Sequence, residues 1–386
     1  MTYFRFPRAV RCAAFAASLM VLGGCSLFSS NDDRYEPAPL TEYAPGLSVR
    51  SVWSTSIGSG SGLGFVPAVV GDQVYAATPN GMVVKVDLAS GRTLWKADAD
   101  MKLSAGPGSD GTTTVVASPT GALVAFDDTG KVKWKAQASS DVDIPPAVGY
   151  GAVIVRSGDY RIQAYNVETG ERLWSLQRPG PALALRSSAQ MVLAEGLVIT
   201  GMPGGKLLAI NVGSGNVQWE GTVATPRGTS DLERLTDVVG EPQLAPPGLL
   251  CAVAYQGRIV CFNVSQGGRP MWAKDYSSAS GMVIDGRFAY APDQNSVVNA
   301  FALDNGNNVW KQSALKNRKL TAPAALNGAI AVGDLDGYVH FLSSSDGSLL
   351  ARMSVGGGAI VSPLQATPSG VLVQTGNGNL VLLGIN

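Results

Sequence analysis

The chain has 386 residues, 29 basic against 29 acidic side chains, 47 Gly, 22 Pro and only 15% charged residues. That balance offers no basic face for nucleic acid. Abundant Gly in a low-charge chain points to short strands and tight turns, and one large all-β architecture can absorb this length without division into several domains.

Arg5, Arg8 and Arg11 open the chain with positive charge, and residues 13–22 follow as an apolar run. The run is shorter than the roughly 20 residues a membrane-spanning helix needs, so it reads as a secretory signal. It ends in Leu22-Gly23-Gly24-Cys25, which resembles the lipobox of bacterial lipoproteins. Residues 1–24 are therefore expected to be a cleaved signal peptide, leaving Cys25 to carry diacylglycerol on its thiol and a further acyl chain on its amine. Several acyl chains, at about 0.8 kcal/mol per buried methylene, hold a protein stably to a membrane. Ser26 stands where an Asp would mark retention at the inner membrane, which favours the outer membrane. Cleavage removes three Arg and no acid, leaving 26 bases against 29 acids and a net charge of −3. Residues 25–47, rich in Pro, Ser and acids, read as a flexible tether. The fold is expected to occupy 48–386.

From there the chain repeats. Its seven tryptophans, Trp53, Trp95, Trp134, Trp174, Trp219, Trp272 and Trp310, are 42, 39, 40, 45, 53 and 38 residues apart. Periods near 40 are the mark of repeat folds. Asp87, Asn166 and Asn211 each begin a polar-x-x-x-Gly-x-x-x-Trp frame. The frame from Asp127 to Trp134 is one residue shorter, and that from Asn263 to Trp272 is one longer. Gly306 to Trp310 keeps only the second half, and a seventh unit has Ala351 where Trp would stand. Such a frame is a hairpin: the polar side chain bonds turn amides, Gly takes the positive φ, and Trp on the next strand fills the space between sheets. With the apolar alternating segments upstream, each unit supplies four strands, the pattern of a β-propeller.

The ends set the blade count. After Ala351 three strands are expected, around 360–364, 370–374 and 379–383, and before the first full unit lies an orphan strand, 48–54. The orphan supplies the strand the last unit lacks, so the ring closes with eight blades and the C-terminal strand is covered. Seven blades with a stray N-terminal strand is the alternative. Cys251 and Cys261 flank a hairpin centred on Gln256, where they can face each other as a disulfide or remain two buried thiols.

No catalytic constellation stands out. His340 is the single histidine and lies in a strand-like run, Asp334 and Asp336 read as turn residues, and neither a nucleophile elbow nor a phosphate loop occurs. No cofactor, metal or enzymatic activity is expected. The tryptophan frame resembles the docking motif of pyrroloquinoline-quinone dehydrogenases, which are eight-bladed and sandwich their quinone against an adjacent Cys–Cys disulfide over calcium. That adjacent pair is missing here, so the resemblance extends to the scaffold and not to the site.

Two connections break the rhythm: residues 178–186 (RPGPALALR) and 224–241 (ATPRGTSDLERLTDVVGE). Both link an outermost strand to the next innermost one, so both are expected on one face, in neighbouring sectors. The first carries Leu183, Leu185 and Arg186, a combination suited to a protein hot spot or, for the leucines, to folding under the blade. The second carries Asp231, Glu233 and Asp237. With the lipobox, tether, docking-type blades and closure, the segments 182–188 (ALALRSS) and 234–238 (RLTDV) are similar to those of the BamB family, the lipoprotein propellers of the outer-membrane β-barrel assembly machine. The resemblance spans essentially the whole chain. It implies a scaffold on the periplasmic face of the outer membrane that binds a POTRA domain of BamA through Leu183, Leu185, Arg186 and Asp237. It further implies membership of the BAM complex and contact with unfolded β-barrel clients. Val239 departs from the family, which can carry a second acid there. A quinone-dependent periplasmic dehydrogenase, or a propeller binding some other periplasmic partner, is the alternative.

Overall fold

In the polar-x-x-x-Gly turns the polar side chain and the glycine divide the work. Asp87 Oδ1 accepts from the Ser90 amide at 2.8 Å, and the Gly91 amide closes the turn on the Asp87 carbonyl at 2.9 Å. Gly91 has φ +71°, and a Cβ on it would lie 2.5 Å from the Trp53 ring of the preceding blade. The glycine is thus required twice, for the turn and as the floor on which a neighbouring indole rests. Trp53 Nε1 donates to the Leu88 carbonyl in that same turn at 2.8 Å. Trp134, Trp174, Trp272 and Trp310 repeat the bond to the next blade at 2.7–3.0 Å.

The computed structural model describes residues 33–385. Among the described residues thirty-two strands form eight four-stranded antiparallel sheets. Blade 1 runs outward from Ala68–Val70 through Gln73–Ala77 and Met82–Asp87 to Thr93–Asp98. Blades 4 and 5 begin at Met191–Ala194 and Val238–Ala245, and blade 7 ends at Leu349–Ser354. The two middle strands of each blade are buried almost throughout, because both their faces pack on neighbouring blades. The outermost strand Thr93–Asp98 instead alternates half-buried and exposed. Continuous apolar runs in the middle and alternation at the rim follow from that layering.

Blade 8 takes Gln365–Thr367, Gly370–Gln374 and Asn379–Ile385 from the C-terminus and Val49–Ser56 from the N-terminus. Val49 stands opposite Ile385 and Ser56 opposite Asn379. The ring therefore closes with eight blades. The first of the C-terminal strands lies beyond its expected 360–364 position, which is instead occupied by an irregular connection.

Ala351 also finds its explanation. A docking Trp needs a turn glycine in the next blade, and blade 8 has no turn between its last two strands, since the outer one comes from the other end of the chain. Without that floor, no Trp is required. The two odd-length turns have a matching consequence. Trp95 faces the shortened turn of blade 2, and its buried Nε1 has no partner. Trp219 faces the lengthened turn of blade 5, coiled into the 3-10 turn Val264–Gln266, and packs edge-on to Phe262 at 5.1 Å.

Cys251 and Cys261 stand in register on neighbouring strands with Cα atoms 4.1 Å apart and their sulfurs joined, resolving the choice between disulfide and free thiols. Cys25 and the expected signal peptide, 1–24, lie outside the described residues. Residues 33–37 lie outside the compact unit that starts at Ala38 and contain one 3-10 turn, Asp33–Tyr35. The stretch 38–47, expected as part of a free tether, is bonded to the propeller. Its Ala38 amide donates to the Lys316 carbonyl at 2.9 Å, and its Gly46 amide donates to the Leu350 carbonyl at 2.8 Å.

Candidate partner-binding site

With four antiparallel strands per blade, two sets of turns share one face: those joining the two middle strands, and the connections from an outermost strand to the next innermost one. Both unusual connections lie on this face, between Arg172–Gln177 and Met191–Ala194, and between Val217–Thr222 and Val238–Ala245. The second is shorter than its expected 224–241 span, because Val238 already pairs with Ala254 in the blade 5 sheet.

The 223–237 connection is folded on itself. Glu233 Oε2 accepts from the Thr229 amide at 2.7 Å and the Ser230 amide at 3.1 Å, while Ser230 Oγ accepts from the Glu233 amide at 3.3 Å. This is a capping box of the Ser-x-x-Glu type. The Ser230 and Thr229 amides hold the Glu233 carboxyl down to about 2. The box lifts Leu232 into solvent, where it is 68% exposed. Leu232 was not among the residues expected at the site, although its place between two acids in an inserted loop is a signal the sequence carries.

Asp237 turns out to be buried, 3% exposed. Its Oδ2 accepts from the Leu185 amide of the other connection, and its Oδ1 accepts from the Gly204 amide at 3.1 Å. Its carbonyl accepts from the Tyr255 amide at 2.8 Å. One residue thus fastens both connections to the turns of blades 4 and 5. Burial pushes its carboxyl above the usual aspartate range, against the pull of the two amides and the nearby Arg156 cation. Val239, the position where the family can carry an acid, is buried in the blade 5 core.

The four residues singled out therefore do different things. Leu183 is 39% exposed. Leu185 is half-buried and packs against the blade 5 cluster that includes Val239 and Met282. Arg186 projects into solvent, its side chain 83% exposed, and pairs with Asp143 at 3.4 Å. Beneath it lies a depression of about 390 Å³ walled by Leu63, Asp143, Ile144, Arg156, Tyr160 and Leu185, drawn from several successive blades. Leu63, 45% exposed, adds a further apolar contact. None of these wall residues other than Leu185 was anticipated from the sequence, since Leu63, Asp143 and Ile144 sit in unremarkable connections, Tyr160 in a turn, and Arg156 at the end of the strand Ala152–Arg156.

His340 and Asp334 belong to a buried ion network. Asp334 Oδ2 meets His340 Nε2 at 2.8 Å and Arg318 at 2.8 Å, and its Oδ1 accepts from the Tyr338 amide at 2.9 Å. Burial alone would raise the Asp334 carboxyl, but His340, the Tyr338 amide and Arg318 together bring it below its usual range. Among the described residues no group of three or more His, Cys, Asp and Glu side chains is disposed to hold a metal. No helix of the described residues is long and apolar enough to cross a membrane.

The family model described as "Outer membrane protein assembly factor BamB" matches residues 79–312. A protein of that name from Bordetella pertussis is 73% identical over 379 residues, covering 98% of each chain. In three dimensions the chain is similar to the crystal structure of BamB from Moraxella catarrhalis, with TM-score 0.80 and 24% identity over 87% of this chain and 100% of that one. It is also similar to quinohemoprotein alcohol dehydrogenase from Comamonas testosteroni, with TM-score 0.67 and 14% identity over 87% of this chain and 76% of that one, a likeness of fold alone.

Proposed function

Because the chain belongs to the BamB family of outer membrane protein assembly factors, we propose that it is a non-enzymatic scaffold whose loop face grips a POTRA domain of BamA. In this reading Cys25 carries the lipid, the ring sits at the periplasmic face of the outer membrane, and the complex it joins folds and inserts β-barrel proteins. The observation that carries the proposal is the fastening of two inserted connections by buried Asp237, which fixes the backbone that presents Leu183 and Arg186. Preorganised loops lose little freedom on binding, so more of the contact energy appears as affinity. Leu183 and Leu232 each remove apolar surface from water on contact, worth about 1.5–3 kcal/mol for a fully covered leucine. Arg186 brings a charge able to leave Asp143 for an acid of the partner. Asp237 acts as a positioning residue rather than a contact, and Val239 contributes none of the touching surface. Unfolded clients would meet the outermost strands, whose unpaired backbone groups can accept an added strand.

Affinity purification from detergent-solubilised outer membranes tests the reading. BamA should co-purify with the wild-type protein, and its absence would end the proposal. Arg186→Glu should reduce capture about tenfold or more, the range of a hot-spot substitution, with an unchanged circular dichroism melt. Undiminished capture would move the contact elsewhere on the ring.

A further inference from the structure

The stretch 38–47 lies along the outermost strand of blade 7, Leu349–Ser354, and runs from the loop face to the opposite face. Its first residue is fixed at the loop face. The Ala38 amide donates to the Lys316 carbonyl at 2.9 Å, and the Ala38 carbonyl accepts from Arg318 Nη1 at 3.0 Å. Lys316 and Arg318 belong to the connection between Asn308–Gln312, the outermost strand of blade 6, and Ala324–Leu326, the innermost strand of blade 7. Arg318 is held in turn by the buried Asp334 in the middle turn of blade 7, on the same face. Further along, Arg352 donates to the Thr41 carbonyl at 3.2 Å and to Glu42 Oε1 at 3.0 Å, and the Gly46 amide donates to the Leu350 carbonyl at 2.8 Å. Leu40 packs on the cluster containing Leu315 and Leu320, and Leu47 on that containing Ala351. The mark of this covering is visible on the strand beneath. Leu350 and Arg352 are half-buried, whereas the corresponding Val309 and Lys311 of blade 6 are exposed.

We infer that this strap delivers the lipid anchor to the face that carries the 178–190 and 223–237 connections, so that the partner-binding face looks toward the bilayer and the partner is held between ring and membrane. The inference rests on the lipidation of Cys25 proposed above. Thirteen Cα–Cα steps separate Cys25 from Ala38. At full extension they reach about 45 Å, and as a flexible coil they average about 20 Å. Were the chain free as far as Val49, its reach would be about 80 Å, enough to let either face turn to the membrane. The strap shortens that reach and starts it at the loop face, so the average span of about 20 Å favours that face.

The test uses the full lipidated protein in phosphatidylethanolamine–phosphatidylglycerol vesicles with an energy-transfer acceptor on the headgroups. A donor dye is placed on a single introduced cysteine, either Thr225→Cys in the loop-face connection after blade 4 or Ser214→Cys in the opposite-face turn of the same blade. Cys251 and Cys261, being bonded to each other, do not take the label. Transfer from Thr225→Cys should be at least twice that from Ser214→Cys. Inserting twenty Gly/Ser residues between Asp32 and Asp33 should erase the difference without altering the fold. Equal or reversed transfer in the parent protein, or a bias that survives the insertion, overturns the inference and leaves the anchor reading standing. No transfer from either label, with a Cys25→Ser control behaving the same way, overturns the anchor reading and the inference together.

Discussion

Gly151 and Gly170 share nearly the same backbone, with φ of +76° and +73°. A Cβ at Gly151 would meet nothing within 4 Å, whereas one at Gly170 would lie 2.7 Å from the Trp134 ring. Both alanine substitutions incur the left-handed penalty of about 1–2 kcal/mol, but only the second must also displace an indole from its seat. Gly151→Ala should therefore lower unfolding free energy by about 1 kcal/mol, and Gly170→Ala by about 3–5 kcal/mol, as much as losing the buried Trp itself. Equal shifts of the urea midpoint would show that the glycine serves the turn alone. Glu241 gives a second test at this scale. It is half-buried on the innermost strand of blade 5, and desolvation pushes its carboxyl from 4.5 up to about 7. Below 4.5 it is neutral in folded and unfolded chains alike. Between there and about 7 the unfolded chain ionises more readily, so the stability it contributes is present in acid and lost as pH rises through about 7. The lowered carboxyls of Asp127 and Asp334 act in the opposite sense only at lower pH. The urea midpoint of the wild type should fall from pH 5 to pH 8, and that of Glu241→Gln should fall less.

At the scale of the turn and blade, the sequence was legible wherever one residue type performs one local task. The Gly–Trp frame announces a hairpin, because positive φ and a large ring leave few alternatives. The odd lengths of the blade 2 and blade 5 turns were visible too, but their consequence was not, since the turn that Trp95 faces belongs to a neighbouring blade and leaves its Nε1 without an acceptor. The candidate site was half legible for the same reason. Inserted length revealed the two connections, and alternating leucines with an arginine marked one of them. Sequence spacing could not reveal that Asp237 reaches back 52 residues to the Leu185 amide, or that a proline-rich tether is pinned by Arg318 and Arg352. The unpaired Trp95 predicts an asymmetry between otherwise equivalent positions. Trp134→Phe gives up the Nε1 bond to the Val167 carbonyl and leaves that carbonyl unsatisfied, whereas Trp95→Phe gives up a donor that has no partner. The first substitution should cost about 1–2 kcal/mol more than the second, read from chemical unfolding of the two variants. Equal costs would mean that the bond between blades adds nothing to ring packing.

For the whole molecule, the decisive contact joins the two ends of the chain. A propeller blade lacking its outer strand would leave Asn379–Ile385 with unpaired backbone groups along an apolar segment, NLVLLGI, the kind of edge that recruits other chains. Val49–Ser56 covers that edge and also reaches the first blade. Trp53 donates to the Leu88 carbonyl at 2.8 Å and Thr55 Oγ1 to the Gly91 carbonyl at 2.6 Å. The strand therefore closes blade 8 on one side and locks it to blade 1 on the other. A chain beginning at Ser48 keeps this closure and loses only the strap, so it should remain monomeric with a modestly lower melting temperature. A chain beginning at Gly58 loses both functions of the strand and should aggregate on concentration, with a broadened transition well below that of the longer chain. A synthetic peptide of residues 48–57 added during refolding should restore monomers, because the edge it fills is already formed by the C-terminal strands. If the shorter chain stays monomeric and melts with the longer one, closure would have to reside in the packing of blade 8 against its neighbours, and the N-terminal strand would be reduced to a cover.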